Sequence, residues 1–294
     1  MKPVSFEYFA PTERAEVLSL LQQYGDEAKV LAGGQSLMPL MNMRLVRPKV
    51  VVDINRIPGL EEIAPDSDSS LNVGARTRHR TLERSELIRE RLPLVAAAMP
   101  HVAHSQIRTR GTIGGSLVHA DPAAELPALC LALEAQLILG SVSGERSVPV
   151  ADFLIDYLTT AIGPEELLTE IRIPPWDNQW RWGFQEVCQR HGDFALVGSA
   201  ILLRIDQDRN CQDARIAMFG VGGKPTRVTQ AEDSLKGQRL DDSAIKEAGL
   251  IVADQLEAQS DMHASAKYRQ DVGGVVARRA LAMALGDDGR GNIT

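Results

Sequence analysis

Two pairs of adjacent glycines are the places where this sequence could do chemistry: Gly33-Gly34, followed by Gln35 and Ser36, and Gly114-Gly115, preceded by Thr112 and Ile113 and followed by Ser116. Glycine lacks the Cβ that would keep a ligand away from the main chain, and it reaches backbone conformations closed to other residues. In such a turn successive N–H groups can converge on phosphate oxygens, aided by a helix N-terminus and by nearby hydroxyls such as those of Ser36 and Ser116. A phosphate-bearing ligand is the natural guest, and the alternative for each pair is a tight turn and nothing more. Neither pair fits the dinucleotide fingerprint GxGxxG or the P-loop pattern, so a Rossmann or P-loop fold is not expected.

Other chemistries find little support. Cys130, Cys188 and Cys211 are odd in number and far apart, with no CxxC, so neither a disulfide framework nor a zinc or iron–sulfur site is encoded, and all three read as packing residues. Among the histidines only His79, with Glu83, places two ligand types on one helical face; flanked by Arg78, Arg80 and Arg84, that pair reads as a solvated face, not as a metal site. A net charge of −7 argues against a protein that tracks nucleic-acid phosphates. With no apolar leader and no uncharged stretch of membrane-spanning length, the expectation is a cytoplasmic globular protein.

The elements around the glycine pairs give them a setting. Val17, Leu18, Leu21 and Tyr24 follow a 3.6-residue period, with Thr12 as the expected cap and Gly25 as the stop. Residues 29–32 read as a strand entering Gly33-Gly34, residues 37–43 as a helix despite Pro39, and residues 50–54 as a strand covered on both faces. This is a small α/β lobe over about residues 1–56. From 57 to 176 strand signals at 71–73, 136–139 and 168–173 mix with helices at 81–87 and 92–99, an α+β lobe with Gly114-Gly115 in its middle. There Asp121-Pro122 reads as the N-cap and first position of an apolar helix running to Leu133. Residues 174–178 break the chain. A C-terminal domain over 177–290 is expected to hold a three-stranded antiparallel sheet (182–188, 195–204, 214–221) and two helices, with a frayed tail from Gly286.

The order Ala32-Gly33-Gly34-Gln35-Ser36-Leu37, Thr112-Ile113-Gly114-Gly115-Ser116-Leu117, His119-Ala120-Asp121-Pro122-Ala123-Ala124-Glu125-Leu126 resembles the FAD-binding medium subunit of molybdenum hydroxylases, a family that includes the carbon monoxide dehydrogenase medium chain and is similar to the central domain of xanthine dehydrogenase. The resemblance extends through residues 190–196 to the closing Tyr268-Arg269 and Arg278-Arg279, a charge pair otherwise read as structural. It implies an α+β fold of the vanillyl-alcohol-oxidase type, the PCMH-like FAD-binding fold, with a C-terminal domain like that of the carbon monoxide dehydrogenase flavoprotein.

By that resemblance Ala32, Gly33, Gly34, Gln35, Ser36 and Leu37, together with Thr112, Ile113, Gly114, Gly115 and Ser116, hold the FAD pyrophosphate and ribityl chain. Asp121 is a further cofactor-binding residue, Glu125 lies toward the adenosine end, Leu168 is an apolar contact, and Phe194 neighbours the isoalloxazine ring. Each has a bland alternative: Asp121 as a cap, Glu125 as a first-turn carboxylate, Phe194 as core. Ser116 replaces a common Asn, and Gln185 stands where xanthine dehydrogenase has Lys, which leaves the electron acceptor open. No catalytic acid, base, nucleophile or metal is expected in this chain. The family places molybdopterin in a large subunit and 2Fe–2S clusters in a small one, with this chain passing electrons to an external acceptor. Two other readings remain: an autonomous flavin oxidase with a covalent histidine link, for which His119 is the nearest candidate, and a flavin-free scaffold subunit.

Overall fold

A computed structural model describes residues 1–177 and 179–286. Four sheets organise the described residues, one of them a two-stranded pair, and the first glycine pair follows a strand of the three-stranded sheet. Strand β1 (Glu7–Phe9) leads into helix α1 (Arg14–Tyr24), β2 (Ala28–Leu31), α2 (Leu37–Asn42) and β3 (Val50–Asp53). The strands pair in the order β1-β3-β2, all parallel, with Val30 opposite Val52 and Leu31 opposite Asp53. Val17, Leu18 and Leu21 of α1 pack with Val50 and Val52, as the 3.6-residue period and the β-branched run require. Gly25 ends α1 with φ 48° and returns its N–H to the Leu21 carbonyl. Thr12 does not cap: Glu13 occupies the cap position with no side-chain bond.

The middle region contains β4 (Ile63–Pro65), β5 (Leu71–Gly74), α3 (His79–Arg84), α4 (Glu86–Arg91), α5 (Pro93–Ala98), α6 (Ser105–Arg108), α7 (Ile113–His119), α8 (Glu125–Ala132), β6 (Gln136–Ser141), β7 (Gly144–Pro149), α9 (Val150–Phe153), β8 (Leu154–Asp156), β9 (Thr159–Thr160) and β10 (Leu167–Ile173). An antiparallel sheet runs β4-β5-β10-β6-β7. The helices expected at 81–87 and 92–99 are three, because Ser85 turns extended and caps α4 through Ile88, and Pro93 opens α5. The expected Asp121-Pro122 start is also corrected. Helix α8 begins four residues past Asp121 at Glu125, since Asp121 Oδ1 instead accepts the Ala123 N–H at 2.9 Å and the Pro122 carbonyl accepts Gly220 N–H at 2.8 Å from the C-terminal sheet.

That sheet is a four-stranded antiparallel meander, β11 (Trp180–Cys188), β12 (Ala195–Ile205), β13 (Cys211–Phe219) and a short β14 (Thr226–Arg227), followed by α10 (Thr229–Leu235), α11 (Asp242–Gln255) and α12 (Ala266–Leu285). One strand and one helix exceed the expectation; both are short. Alternation sends Trp182, Phe184, Leu202 and Phe219 into the core of the middle region, while Val197, Ile201, Ile216 and Met218 pack with the helices on the other face. Arg278-Arg279 lies inside α12, not at a helix end, and Arg278 covers Gly249 of α11. The tail expected to fray lies, past Gly286, outside the described residues.

Candidate functional site

Ala32, Gly33, Gly34 and Gln35 leave the carboxyl end of β2 and line a cavity of about 200 Å³ with Leu31, Met38, Asp53, Asn55 and Arg110. Strand β3 ends beside them at Asp53, so the cavity opens where two parallel strands end, the usual ligand position of a parallel sheet. Gly34 needs its identity for φ 71°. Among the described residues the N–H groups of Gly33, Gly34, Gln35 and Ser36 donate to no protein acceptor. Gly33, Gly34 and Gln35 line the cavity, where successive unengaged donors can receive an anion, and Arg110 adds positive charge. Ser36 precedes α2 without capping it, and Leu37 is the first residue of that helix.

The second glycine turn is built differently. Thr112 caps α7 by accepting Gly115 N–H at 3.1 Å; Gly114 N–H goes to the Ala75 carbonyl at 2.8 Å and Ser116 N–H to the Thr112 carbonyl at 3.0 Å. Ile113 is core. A Cβ at Gly114 would stand 2.6 Å from Ala75, and one at Gly115 2.7 Å from Thr112 Oγ1. The close approach that glycine permits is here an approach of the protein to itself. Gly33 shows the same: a Cβ there would meet the Arg110 carbonyl at 2.5 Å and Gly111 Cα at 2.9 Å, so the two turns lie against each other.

Glu125, first in α8, is buried in a titratable cluster. Burial pushes its pKa up to about 7, and the neighbouring carboxylates Glu186 and Asp121 add to the rise. His101 Nδ1 lies 3.2 Å from Glu186 Oε1, and this hydrogen bond raises the histidine pKa. Leu168 is buried in β10 within the middle core, alongside Ile113 and Leu117. Phe194, in the turn between β11 and β12, is 63% exposed, which removes the core alternative. Gly192 at φ 86° seats that turn against His104, where a Cβ would come within 2.5 Å of Nδ1. Gln185 faces Met283 of α12 at 3.9 Å. His119 closes α7.

Sequence reasoning missed Asp53, Asn55 and Arg110 as cavity residues. Asp53 accepts from Tyr8 Oη at 2.6 Å and from both nitrogens of Asn55; burial works against its charge, but these hydrogen bonds prevail and hold its pKa low. Asp53 ends β3 and Asn55 follows it, while Arg110 comes from the segment between α6 and α7. His79 is corrected too: its ring is buried, not solvated, with both nitrogens lacking a hydrogen-bond partner among the described residues, while Glu83 pairs with Arg108. Burial depresses the His79 pKa to about 4. Cys130 is fully enclosed and its thiol is pushed up to about 12, a packing residue as expected. Among the described residues no helix is long and apolar enough to cross a membrane.

The chain is similar to known proteins along nearly its whole length. The family described as FAD binding domain in molybdopterin dehydrogenase matches residues 4–176, and that described as CO dehydrogenase flavoprotein C-terminal domain matches residues 182–284. The 6-hydroxypseudooxynicotine dehydrogenase complex subunit alpha of Paenarthrobacter nicotinovorans is 42% identical over 97% of this chain and 96% of its own length. The caffeine dehydrogenase subunit beta of a Pseudomonas species is 40% identical over the same shares. A chain of carbon monoxide dehydrogenase from Hydrogenophaga pseudoflava superposes with a TM-score of 0.94 at 35% identity, covering 97% of this chain and 99% of that one. With both domains matched in order and relatives similar along nearly the whole length, the chain belongs to the FAD-binding flavoprotein family of molybdopterin dehydrogenases, a family of oxidoreductases.

Proposed function

We propose that this chain is the FAD-carrying electron-transfer subunit of a heteromeric, cytoplasmic molybdenum hydroxylase, taking electrons from a small 2Fe–2S subunit that is reduced by a large molybdopterin subunit, and passing them to an external acceptor. The observation that carries the reading is the run of N–H groups from Gly33 to Ser36 that engage no acceptor among the described residues, three of them belonging to residues that line a cavity bordered by Arg110. A diphosphate is the ligand whose charge and acceptor count suit that wall. The names of relatives, a dehydrogenase complex subunit alpha and a dehydrogenase subunit beta, support a place in a multi-subunit oxidoreductase.

In this assignment Ala32, Gly33, Gly34, Gln35, Ser36 and Leu37 bind the diphosphate and adjoining ribityl chain. Thr112, Ile113, Gly114, Gly115 and Ser116 form the second turn, packed against the first, with Ser116 as the residue whose hydroxyl remains for the cofactor. Asp121 and Glu125 serve the adenosine end; Glu125, with a pKa near 7, is able to donate a hydrogen bond as well as accept one. Leu168 supplies apolar contact, and the exposed ring of Phe194 awaits the isoalloxazine. Bound FAD would supply the redox chemistry, accepting electrons singly or in pairs, while the protein binds it, orients it and tunes it.

Purifying the chain under native conditions with its associated proteins tests the assignment. Molybdenum and iron that elute with the flavin at constant ratio are the expected result. A chain that carries flavin but elutes alone, free of both metals, would contradict it.

A further inference from the structure

Asn55 and Arg78 tie the two glycine turns together, although neither belongs to either turn. Asn55 Nδ2 donates to the carbonyl of Ala32, the residue before Gly33, at 2.9 Å. Asn55 Oδ1 accepts from Arg78 Nη2, and Arg78 Nη1 donates to the carbonyl of Arg110, which Gly111 follows. A continuous chain of three hydrogen bonds thus spans from one turn to the other. Asn55 is itself fixed by Asp53, whose Oδ1 accepts its backbone N–H at 2.8 Å and its Nδ2 at 2.6 Å; Tyr8 holds the other Asp53 oxygen.

The brace carries charge. Arg78 is half-buried, and burial together with the nearby guanidinium groups of Arg110 and Arg76 depresses its pKa; Asp53 supplies the opposing field. Among the described residues neither Arg78 nor Arg110 has a carboxylate within 4.0 Å, whereas Arg76 pairs with Glu61 and Arg108 with Glu83. The hydrogen bonds of Arg78 go to neutral carbonyl acceptors, which orient it without cancelling its charge. A partly desolvated cation left in this state favours an anion brought close to it.

We propose that Arg78 and Asn55 are positioning residues that fix the spacing of the two glycine turns, and that the charge Arg78 holds between them biases the cavity toward the diphosphate of FAD. The inference rests on the FAD reading above. Preorganisation of this kind lowers the ordering cost of binding, so its loss appears in cofactor affinity. Because the bonds run in series, losing either residue opens the same link, and the two losses are not additive.

The test uses the full chain. In cofactor-free protein, Arg78→Gln and Asn55→Ala are each expected to speed amide hydrogen exchange at the bonded amides of both turns, Met38 on the Gly34 carbonyl and Gly114 and Ser116 in the second turn, and to leave the α11 and α12 amides unchanged. FAD titration is expected to show affinity lower by about tenfold or more in each variant, with the double variant no weaker than the weaker single one. Raising salt should weaken FAD binding less in Arg78→Gln than in wild type or Asn55→Ala, a difference that a purely structural residue would not produce. Should Arg78→Gln not fold, Arg78→Lys, which keeps the charge and loses the fork, is expected to speed exchange while retaining the wild-type salt dependence. Unchanged exchange in the turns, or additive losses of affinity, would overturn the brace. A wild-type chain with protected turns that takes up no FAD would instead contradict the functional reading and the cofactor half of this inference.

Discussion

Gly33 and Arg110 are in backbone contact: a Cβ on Gly33 would stand 2.5 Å from the Arg110 carbonyl oxygen. The contact brings turns more than seventy residues apart in sequence into one wall, and it makes Gly33 a residue whose side chain is excluded by protein. Gly33→Ala must separate the turns, at a cost of about 1–3 kcal/mol in stability, the usual range for overpacking against a backbone that cannot yield. Calorimetry of the cofactor-free variant should show that loss, accompanied by weaker FAD binding. Wild-type stability and affinity in Gly33→Ala would show that the turns part freely.

Glu125 gives a pH dependence with a definite sign. Its folded pKa is raised to about 7 by burial. The folded chain therefore retains a proton that the unfolded chain releases, so this contribution to stability is complete below the unfolded value near 4.5 and declines as pH rises toward 7. At about 1.4 kcal/mol per unit the change is on the order of 3 kcal/mol. Urea unfolding of cofactor-free wild type and Glu125→Gln at pH 5 and pH 8 should show the variant gaining relative to wild type at the higher pH. An equal difference at both would place Glu125 in a wetter environment than the structure gives it.

His79 runs in the opposite direction. Its pKa falls to about 4 on burial, so its contribution is present above the unfolded value of 6.5 and is lost as pH falls toward 4. His79→Phe, which cannot take up a proton, should unfold at lower pH than wild type, with the relative gain on the order of 3 kcal/mol across that window. Acid unfolding followed by circular dichroism measures it, and coincident curves would contradict a neutral buried imidazole.

Phe194 separates binding from stability. With 63% of its surface exposed it contributes little to the core. Phe194→Ala should leave the cofactor-free chain within about 0.5 kcal/mol of wild type. It should nonetheless shift the visible spectrum of the bound flavin; an unshifted spectrum would place the isoalloxazine elsewhere.

Local signals in the sequence were legible where local physics decides. The β-branched run at Val50, Val51 and Val52 forms a strand covered on both faces, and Gly25 stops its helix by taking a positive φ. Strand β1 was not legible, since Glu7, Tyr8 and Phe9 form a short edge strand without alternation and gain regular structure from pairing with β3. Asp121-Pro122 carries a cap signal, but the Gly220 N–H of a distant sheet claims the Pro122 carbonyl and moves the helix start to Glu125. His79, read among arginines as a solvated face, is covered by Gly111 from the second turn. The glycine pairs themselves were readable. Asp53, Asn55, Arg78 and Arg110 were not, because parallel strand pairing and the contact between turns bring them together.

The most direct test of the central claim is the visible absorption spectrum of the purified chain, before and after acid precipitation, with the released chromophore identified and counted. FAD released intact, at close to one per chain and lost on substitution of Gly33, is the result this account predicts. A colourless chain that stays colourless on incubation with FAD would contradict it, and colour retained by the precipitated protein would point to a covalent flavin in its place.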